Sequence, residues 1–428
     1  DRYAAHRVLP SFPTRRSSDL GPSSDSVELI EKLILSGVNV FRLNMSHGDN
    51  DGRLALVKNI NKITRKLDKQ VAILVDLCGP KIRIGKLEKG PLVLSDGKLV
   101  TIACGRIVAG SNKIPSQYKY LYKDVNIKDR IFLDDGKIEL VVKAIDNKDV
   151  ICKVRHGGIL HDNKWMNLPD TVVTTASYTE KDKRDTEFAI RIKADFIALS
   201  FVRDKKDICK LKRYMKSRQF EIPVVAKIER KEAIRNIDEI INESYGIMIA
   251  RGDLGIELPA QEVPLIQKEL ISLCRKYSRP VIVATQMLES MITIPQPTRA
   301  EVGDVANAAL SSVDAVMLSA ETASGRYPVK AVDMMDSILR EIEAYQLKHN
   351  CFSDNKSKVE NRISSEREAV SCAVTLLTQS LDLEAIIVPT RSGTTAMALA
   401  SDRPVSPLVA VCPDSRVCRR LMLHWGVM

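Results

Sequence analysis

Apolar and polar positions follow one another along most of the chain in a repeating order of helix and strand. Residues 23–37 have the period of an amphipathic helix that ends at Gly37, and the apolar run VNVFRL follows directly. Later apolar runs, each separated from the next by a helical stretch, are PVVAKIE, YGIMIARGD, RPVIVATQM and VDAVMLSAE. Strands that alternate with helices form parallel sheets, and continuously apolar strands are buried on both faces.

Three stretches break this order. Residues 82–174 contain many short β-rich runs with Asp-Gly turns, which predicts an inserted all-β domain. Residues 1–20 show neither period, so we expect them to be disordered or foreign to the native protein. Residues 346–428 begin with a polar linker and continue as a smaller α/β domain, which we expect to be truncated.

The strands end in polar residues, and this feature selects the architecture. An open sheet gathers its ligand groups near one switch point, whereas a closed (β/α)8 barrel collects them from every strand at its top face. Seven strands contribute here, so we predict a TIM barrel formed by residues 21–81 and 175–345. The strand-end residues are Arg42, Asn44, Asp76, Ser200, Lys227, Glu229, Arg251, Asp253, Thr285, Ser319 and Glu321.

Composition excludes several classes of protein. No apolar run approaches the roughly 20 residues of a membrane span, and no signal-peptide pattern opens the chain. The nine cysteines lie singly without a C-x-x-C pair, which argues against disulfides or zinc and favours the cytoplasm. The formal charge is +11, but the lysines are dispersed and aromatics make up only 5%. Anionic substrates explain this charge better than nucleic acid does.

Charged residues at two adjacent strand ends suggest a metal site. Glu229 and Asp253 offer carboxylate oxygens, which suit Mg²⁺ or Mn²⁺ with water completing the shell. Lys227 shares the side of Glu229 and could stabilise developing negative charge. Gly252 lets backbone approach a ligand. The alternative interpretation is a set of salt bridges along a barrel rim.

Other candidates are weaker individually. Arg42 suits a phosphate, with Asn44, Ser46 and His47 as polar contacts beside it. His47 alone is more often a hydrogen-bonding residue at a helix start than a catalyst. Thr285 can face the cavity, although a single buried Thr is usually structural, and a proton route could use Ser319 and Glu321. Their shared position on one face strengthens these assignments.

The segments GVNVFRLNMSHG, DLCGPKIRIG, AKIE, IMIARGDLGIELP, VATQMLESM, PTRAEVGDVANA and DAVMLSAETASGRYP occur in the order of the signature motifs of pyruvate kinase, and the chain resembles that family. The resemblance implies a TIM barrel with a β domain inserted after the third strand and a C-terminal α/β domain. It also implies phosphoryl transfer from phosphoenolpyruvate to ADP, dependent on Mg²⁺ or Mn²⁺.

The resemblance assigns roles to individual residues. Lys227 would stabilise the phosphoryl group and the enolate, Arg42 would hold the phosphoryl group, and Glu229 and Asp253 would bind the metal. The substrate carboxylate would be bound by Gly252, Asp253 and Thr285. Enolate protonation would use water near Thr285, Ser319 and Glu321. The nucleotide would contact Asn44, Ser46, His47, Arg83 and Lys164.

The sequence departs from the family at its monovalent-cation site. Many relatives hold K⁺ with residues that match Asn44, Ser46, Asp76 and position 77, which is often Thr but is Leu77 here. Lys81 stands where Glu is frequent, and a fixed ammonium could replace K⁺. We therefore expect K⁺ not to be required, against the alternative of a surface lysine.

The C-terminal domain contains a second family feature. Its loop resembles the family's sugar-phosphate effector loop, and a plain helix-capping loop explains it about equally well. The loop residues are Thr390, Ser392, Gly393, Thr394 and Thr395. The family is usually tetrameric, so a homotetramer is expected if this domain is complete.

Two other functions fit parts of the sequence. A Mg²⁺-dependent barrel lyase or aldolase that handles an enolate would need the same strand-end charges but no lid and no ADP. An inactive fragment or non-catalytic binding protein would fit the unusual ends of the chain.

Overall fold

A computed structural model gives the fold and describes residues 14–80, 82–88, 90–105, 113–349, 366–381 and 383–428. Its centre is a closed barrel of eight parallel strands. Each strand pairs with its sequence neighbours, and the first strand closes the ring against the eighth. In chain order the strands are Arg15–Asp19, Val40–Asn44, Ala72–Asp76, Phe196–Leu199, Val224–Ile228, Gly246–Ala250, Val281–Ala284 and Ala315–Leu318.

Helices surround the barrel and begin at polar caps that the sequence supplies. Thr179 with Asp182, and Thr298 with Glu301, form capping boxes in which side chains satisfy the first free backbone N–H groups. The helices of the barrel domain are Val27–Leu35, Asn50–Leu67, Glu180–Arg191, Lys205–Ser217, Lys231–Arg235, Ile237–Glu243, Arg251–Glu257, Val263–Lys276, Arg299–Leu310, Ala320–Ala323 and Pro328–His349, with a 3₁₀ turn at Glu289–Ile292.

Strand residues divide between two cores according to the alternation of side chains. Val40, Leu74 and Met248 belong to the cluster that fills the barrel interior. Phe41, Val75 and their equivalents face outward and join the larger cluster shared with the helices. Both sets are almost fully buried, which explains why the strand sequences are apolar without alternation.

The first strand corrects the expectation for residues 1–20. Arg15–Asp19 pairs with both neighbouring strands and completes the barrel, although its sequence, RRSSD, is polar. Residues 1–13 lie outside the described part of the chain. The barrel is therefore closed, and its eighth strand comes from residues that we expected to be disordered or foreign to the native protein. The strand buries polar atoms that have no hydrogen-bond partner among the described residues, among them Ser17 Oγ and Arg15 Nη2.

The inserted segment folds as a β domain with its own core. Six strands form one sheet in the order 166–167, 130–133, 138–146, 149–156, 99–104 and 113–116, and strands Leu92–Leu94 and Gly158–Leu160 form a separate pair. The helix Leu121–Asp124 connects two of the strands. The chain leaves the barrel after its third strand and returns before the helix Glu180–Arg191.

The C-terminal α/β unit contacts the base of the barrel. It contains two parallel strands, Ile386–Pro389 and Leu408–Val411, and the helices Glu366–Ser380, Thr394–Ser401 and Ser415–Leu421. Leu423 enters the interior cluster of the barrel. Arg403 Nη1 lies 3.1 Å from Asp314 Oδ1, and Arg419 Nε donates to Asp195 Oδ1 at 2.8 Å.

The unsatisfied hydroxyl of Ser17 gives a stability prediction. Ser17 is buried opposite Val40 and Met317, and its Oγ finds no partner among the described residues. Because burying an unpaired hydroxyl is unfavourable, Ser17→Ala should raise the free energy of unfolding by about 1 kcal/mol. Chemical denaturation measures this change. In the control, Ser18→Ala removes a hydroxyl that donates to Asp19 O at 3.5 Å and should not stabilise the protein. Equal effects of both substitutions would contradict the explanation.

Candidate active site

A cavity of about 920 Å³ opens at the carboxyl ends of the barrel strands. Its wall draws on strand ends from around the ring, as the sequence predicted for a barrel. Candidates that line it are Arg42, Asn44, His47, Lys227, Asp253, Thr285 and Ser319. Asp19 and Arg53 also line it, although neither is among the residues predicted from the sequence.

Asp76 connects two of the cations that line the cavity, Arg42 and Lys227. Its Oδ2 accepts from Arg42 Nε at 2.7 Å and lies 3.3 Å from Lys227 Nζ. Lys227 also donates to Ser200 Oγ at 2.9 Å and lies 2.8 Å from Glu229 Oε1. Arg42 Nη1 forms a second ion pair with Asp19. The strand-end charges therefore converge on one buried network, and they do not form separate surface pairs along a rim.

Burial and neighbouring charge act in opposite directions on these groups. Burial lowers the pKa of Lys227, but Asp76 and Glu229 outweigh it and leave that pKa above its ordinary value. Asp19 and Asp76 raise the pKa of Arg42 in the same way against the effect of burial. Burial raises the pKa of Asp19 to about 6, and Arg42 partly offsets this effect. Both cations therefore stay charged at neutral pH.

Two carboxylates suit a divalent cation. Glu229 and Asp253 follow the fifth and sixth barrel strands, which pair directly. Lys227 Nζ lies 2.8 Å from Glu229 Oε1, and Asp253 lines the same cavity as Lys227. Within the described ranges, no three His, Cys, Asp or Glu side chains form a cluster that would hold a metal alone. A pair of carboxylates fits Mg²⁺, which keeps water and substrate oxygens among its ligands.

The Thr285 hydroxyl connects two backbone groups. Thr285 Oγ1 accepts from Gly252 N at 2.8 Å and donates to Ala284 O at 2.6 Å. Thr285 itself has a left-handed backbone, with φ of 69°. The amide N–H of Gly252, predicted to bind a carboxylate, thus contacts the Thr285 hydroxyl in this structure. A bound carboxylate would have to replace or share that contact.

The predicted proton route is only partly assembled. Ser319 lines the cavity, and its buried Oγ has no hydrogen-bond partner in the described structure. Glu321 is not among the residues that line the cavity. Its two carboxylate oxygens accept from the backbone amides of Ser319, at 2.7 Å, and Leu288, at 3.2 Å. Glu321 therefore fixes the loops around Ser319.

The loop after the second strand holds the predicted nucleotide contacts. Asn44 Oδ1 accepts from Ser46 N at 2.9 Å, which turns the chain toward the helix Asn50–Leu67. Asn44 and His47 line the cavity, whereas Ser46 does not.

The structure does not bring the nucleotide contacts predicted on the inserted domain into this cavity. Arg83 stacks on Trp165 with its guanidinium carbon 3.9 Å from the ring centre. Lys164 Nζ lies 2.8 Å from Asp134 Oδ1. Neither residue lines the large cavity.

A smaller cleft of about 210 Å³ lies between the inserted domain and the barrel, and Asp253 lines this cleft as well as the cavity. Two barrel arginines bind the segment through which the chain returns from the inserted domain to the barrel. Arg203 donates to Val173 O at 3.0 Å, and Arg230 donates to Thr171 O at 3.2 Å. Burial raises the pKa of Glu257, which also lines the cleft, to about 7.

The structure describes four of the five residues that match the family's K⁺ site, and Lys81 is the exception. The Leu77 side chain is buried in the outer core, and its backbone oxygen accepts from Ser200 Oγ at 2.7 Å. The Asp76 carboxylate forms ion pairs with Arg42 and Lys227. Lys81 lies outside the described residues.

The effector-like loop is closed by local hydrogen bonds. Gly393 N donates to Thr390 Oγ1 at 3.0 Å, and Ser392 Oγ lies 2.5 Å from Thr394 Oγ1. Gly393 has φ of 87°, a conformation that favours glycine, directly before the helix that begins at Thr394. These contacts fit a helix-start loop and leave the effector prediction untested.

Comparisons with known proteins agree with this geometry. The family model for the pyruvate kinase barrel domain matches residues 14–332, and the model for the pyruvate kinase alpha/beta domain matches residues 368–428. The chain belongs to the pyruvate kinase family. It is 42% identical to a pyruvate kinase of Geobacillus stearothermophilus over 411 residues, which cover 95% of this chain and 70% of the relative. A pyruvate kinase of Staphylococcus aureus strain MRSA252 is 42% identical over 410 residues, with the same coverage.

A solved structure extends the agreement to three dimensions. The crystal structure of a pyruvate kinase from Cryptosporidium parvum superposes with a TM-score of 0.90 at 35% identity. The match covers 97% of this chain and 86% of that chain. The predicted fold class is confirmed, and so is the prediction of a pyruvate kinase, a phosphotransferase. The pyruvate kinase family generally needs Mg²⁺. Because the family matches identify a pyruvate kinase, the alternative of a barrel lyase or aldolase is wrong.

No helix in the described part of this pyruvate kinase is both long and apolar enough to cross a membrane.

Sequence reasoning missed the carboxylate of Asp19 because the first strand was not recognised.

The buried network around Arg42 and Lys227 contains these two cations and four carboxylates (Asp19, Asp76, Glu229, Asp253), a formal net charge of −2 when all are charged. A divalent metal would cancel this balance and leave no net positive charge for an anionic substrate.

We therefore expect Asp19→Asn to strengthen binding of phosphoenolpyruvate. Removing one carboxylate charge beside Arg42 should lower the KM for phosphoenolpyruvate by about tenfold at neutral pH. Steady-state assays at saturating Mg²⁺ and ADP measure the change. Asp49→Asn, which changes a carboxylate that also lines the cavity but caps a helix, is the control and should not lower this KM. An unchanged or higher KM for Asp19→Asn would show that Asp19 does not oppose the substrate.

Proposed function

We propose that this pyruvate kinase transfers the phosphoryl group of phosphoenolpyruvate to ADP inside the cavity at the barrel mouth. The observation that carries the proposal is the position of Lys227, buried beside Glu229 and Asp76 and facing the same cavity as Arg42 and Asp253. Phosphoryl transfer asks the protein mainly to position its reactants and to stabilise charge, which this network can do.

Each strand-end group then has a role in the transfer. Arg42 binds the phosphoryl oxygens of phosphoenolpyruvate. Lys227 stabilises the charge of the migrating phosphoryl group and of the enolate that remains. Glu229 and Asp253 hold Mg²⁺ or Mn²⁺, which when bound neutralises phosphate charge. Asp76 and Ser200 keep the Lys227 ammonium in place through their contacts of 3.3 and 2.9 Å.

The substrate carboxylate and the enolate lie on the side of the cavity that carries Thr285 and the start of the helix Arg251–Glu257. Thr285 Oγ1 and the amides of Gly252 and Asp253 bind the carboxylate at the start of the helix Arg251–Glu257. Protonation of the enolate to pyruvate uses water near Thr285 and the Ser319 hydroxyl, which has no hydrogen-bond partner within the described ranges. Glu321 supports this route by fixing the Ser319 backbone.

ADP binds beside the loop that carries Asn44, Ser46 and His47, of which Asn44 and His47 line the cavity. Arg83 and Lys164 of the inserted domain contact its phosphates. They exchange their present contacts with Trp165 and Asp134 for the nucleotide when the inserted domain closes over the cavity.

The cavity does not require K⁺. Asp76, whose equivalent holds K⁺ in relatives, already contacts the fixed cations Arg42 and Lys227. Leu77 has no side-chain oxygen to bind K⁺. Lys81, which follows it closely in the sequence, carries another ammonium group. We also propose, from the family resemblance, a phosphorylated effector at residues 390–395, a homotetramer and a cytoplasmic location.

The assay that tests the transfer measures pyruvate formation from phosphoenolpyruvate with and without ADP. Lys227→Met should lower kcat by about a thousandfold, because the charge that stabilises the transition state is lost. Lys276→Met changes a lysine in the last turn of an outer helix and should retain activity. Absence of ADP-dependent pyruvate formation by the unmodified chain would contradict the proposal and support an inactive fragment.

Cation replacement tests the K⁺ proposal. Activity in tetramethylammonium chloride should equal activity in KCl at the same ionic strength, because fixed cations supply the charge. The initial rate at saturating substrates is the measurement. Loss of most activity without K⁺ would reject this part of the proposal and leave the phosphotransferase assignment intact.

A further inference from the structure

Arg53 lies in the first turn of the helix Asn50–Leu67, and its side chain folds back onto the preceding loop. A cation in the first turn opposes the helix dipole, so the helix itself does not favour it. Arg53 is only 8% exposed and lines the large cavity. Its contacts with the loop account for its position.

One guanidinium group binds several carbonyl oxygens of that loop. Arg53 Nη2 donates to His47 O, to Gly48 O at 3.1 Å and to Asn44 O at 3.5 Å. Arg53 Nη1 donates to Asn50 Oδ1 at 2.9 Å. Few side chains other than arginine carry enough fixed donors to bind the loop in this way.

A second cation binds the same loop from another direction. Lys181 Nζ donates to Met45 O at 2.7 Å and lies 2.5 Å from Asp185 Oδ2. Together Arg53 and Lys181 bind the carbonyl oxygens of residues 44, 45, 47 and 48. The backbone of the loop is thus fixed by permanent charges of the protein.

We propose that Arg53 is a positioning residue for the nucleotide: it fixes the loop 44–48 that carries the proposed ADP contacts Asn44, Ser46 and His47. The inference rests on the proposed function of these three residues. Arg53 acts through the loop and has no step in the chemistry. Its loss should therefore weaken ADP binding selectively, whereas phosphoenolpyruvate, bound by Arg42 and Lys227, should be little affected.

The test compares Arg53→Ala with Arg65→Ala, an exposed arginine of the same helix. Arg53→Ala should raise the KM for ADP by about tenfold and leave the KM for phosphoenolpyruvate nearly unchanged. Guanidinium ion at a sub-denaturing concentration should partly restore the KM for ADP, and urea at the same concentration should not. Arg65→Ala should match the unmodified enzyme. An equal rise of both KM values, or no rise in the KM for ADP, would overturn the inference.

Amide hydrogen exchange gives a readout that does not depend on activity. Exchange across residues 44–50 should become faster in Arg53→Ala, while exchange in the barrel strands stays unchanged. Unchanged exchange in the loop would refute the positioning role even if activity fell. If the unmodified chain made no pyruvate, the proposed function would fail, yet the exchange experiment would still test whether Arg53 orders the loop.

Discussion

The buried charge network at the barrel mouth is the constraint on which the site depends. Arg42, Asp76, Lys227 and Glu229 come from three different strands, and each is at most 8% exposed. Buried charges are tolerable only when partners are close and well oriented, so the strands must hold their register at this end of the barrel. Closure of the ring by the first strand provides that register, even though the sequence of this strand is unfavourable.

The same network determines what the cavity can bind. The carboxylates of the network outnumber its cations. Without a bound metal the network is therefore net negative, and it favours binding of a divalent metal before binding of an anion. Once a metal is bound, Lys227 and Arg42 are available to a phosphate-bearing substrate. In the proposed function, phosphoryl transfer uses this order of charges, and the inserted domain would supply contacts for ADP.

Much of the fold could be predicted from the sequence, because parallel buried strands have a clear pattern and their polar ends mark one face. Lys227, Asp253 and Arg42 were found in this way. The strand Arg15–Asp19 was missed because only closure of the barrel, a tertiary constraint, holds RRSSD as a strand. Arg53 was missed because its partners are backbone carbonyls, which have no sequence signature. The central role of Asp76 was missed because a carboxylate at a strand end does not reveal which cations reach it.

Glu229 and Asp253, at the ends of barrel strands five and six, would hold one divalent metal beside Lys227. Anomalous diffraction from crystals grown with Mn²⁺ and phosphoenolpyruvate tests it most directly. We expect an anomalous peak within about 2.3 Å of carboxylate oxygens of both Glu229 and Asp253, with the phosphate against Lys227 and Arg42. A peak that lacks either carboxylate, or a phosphate bound outside the cavity, would contradict it.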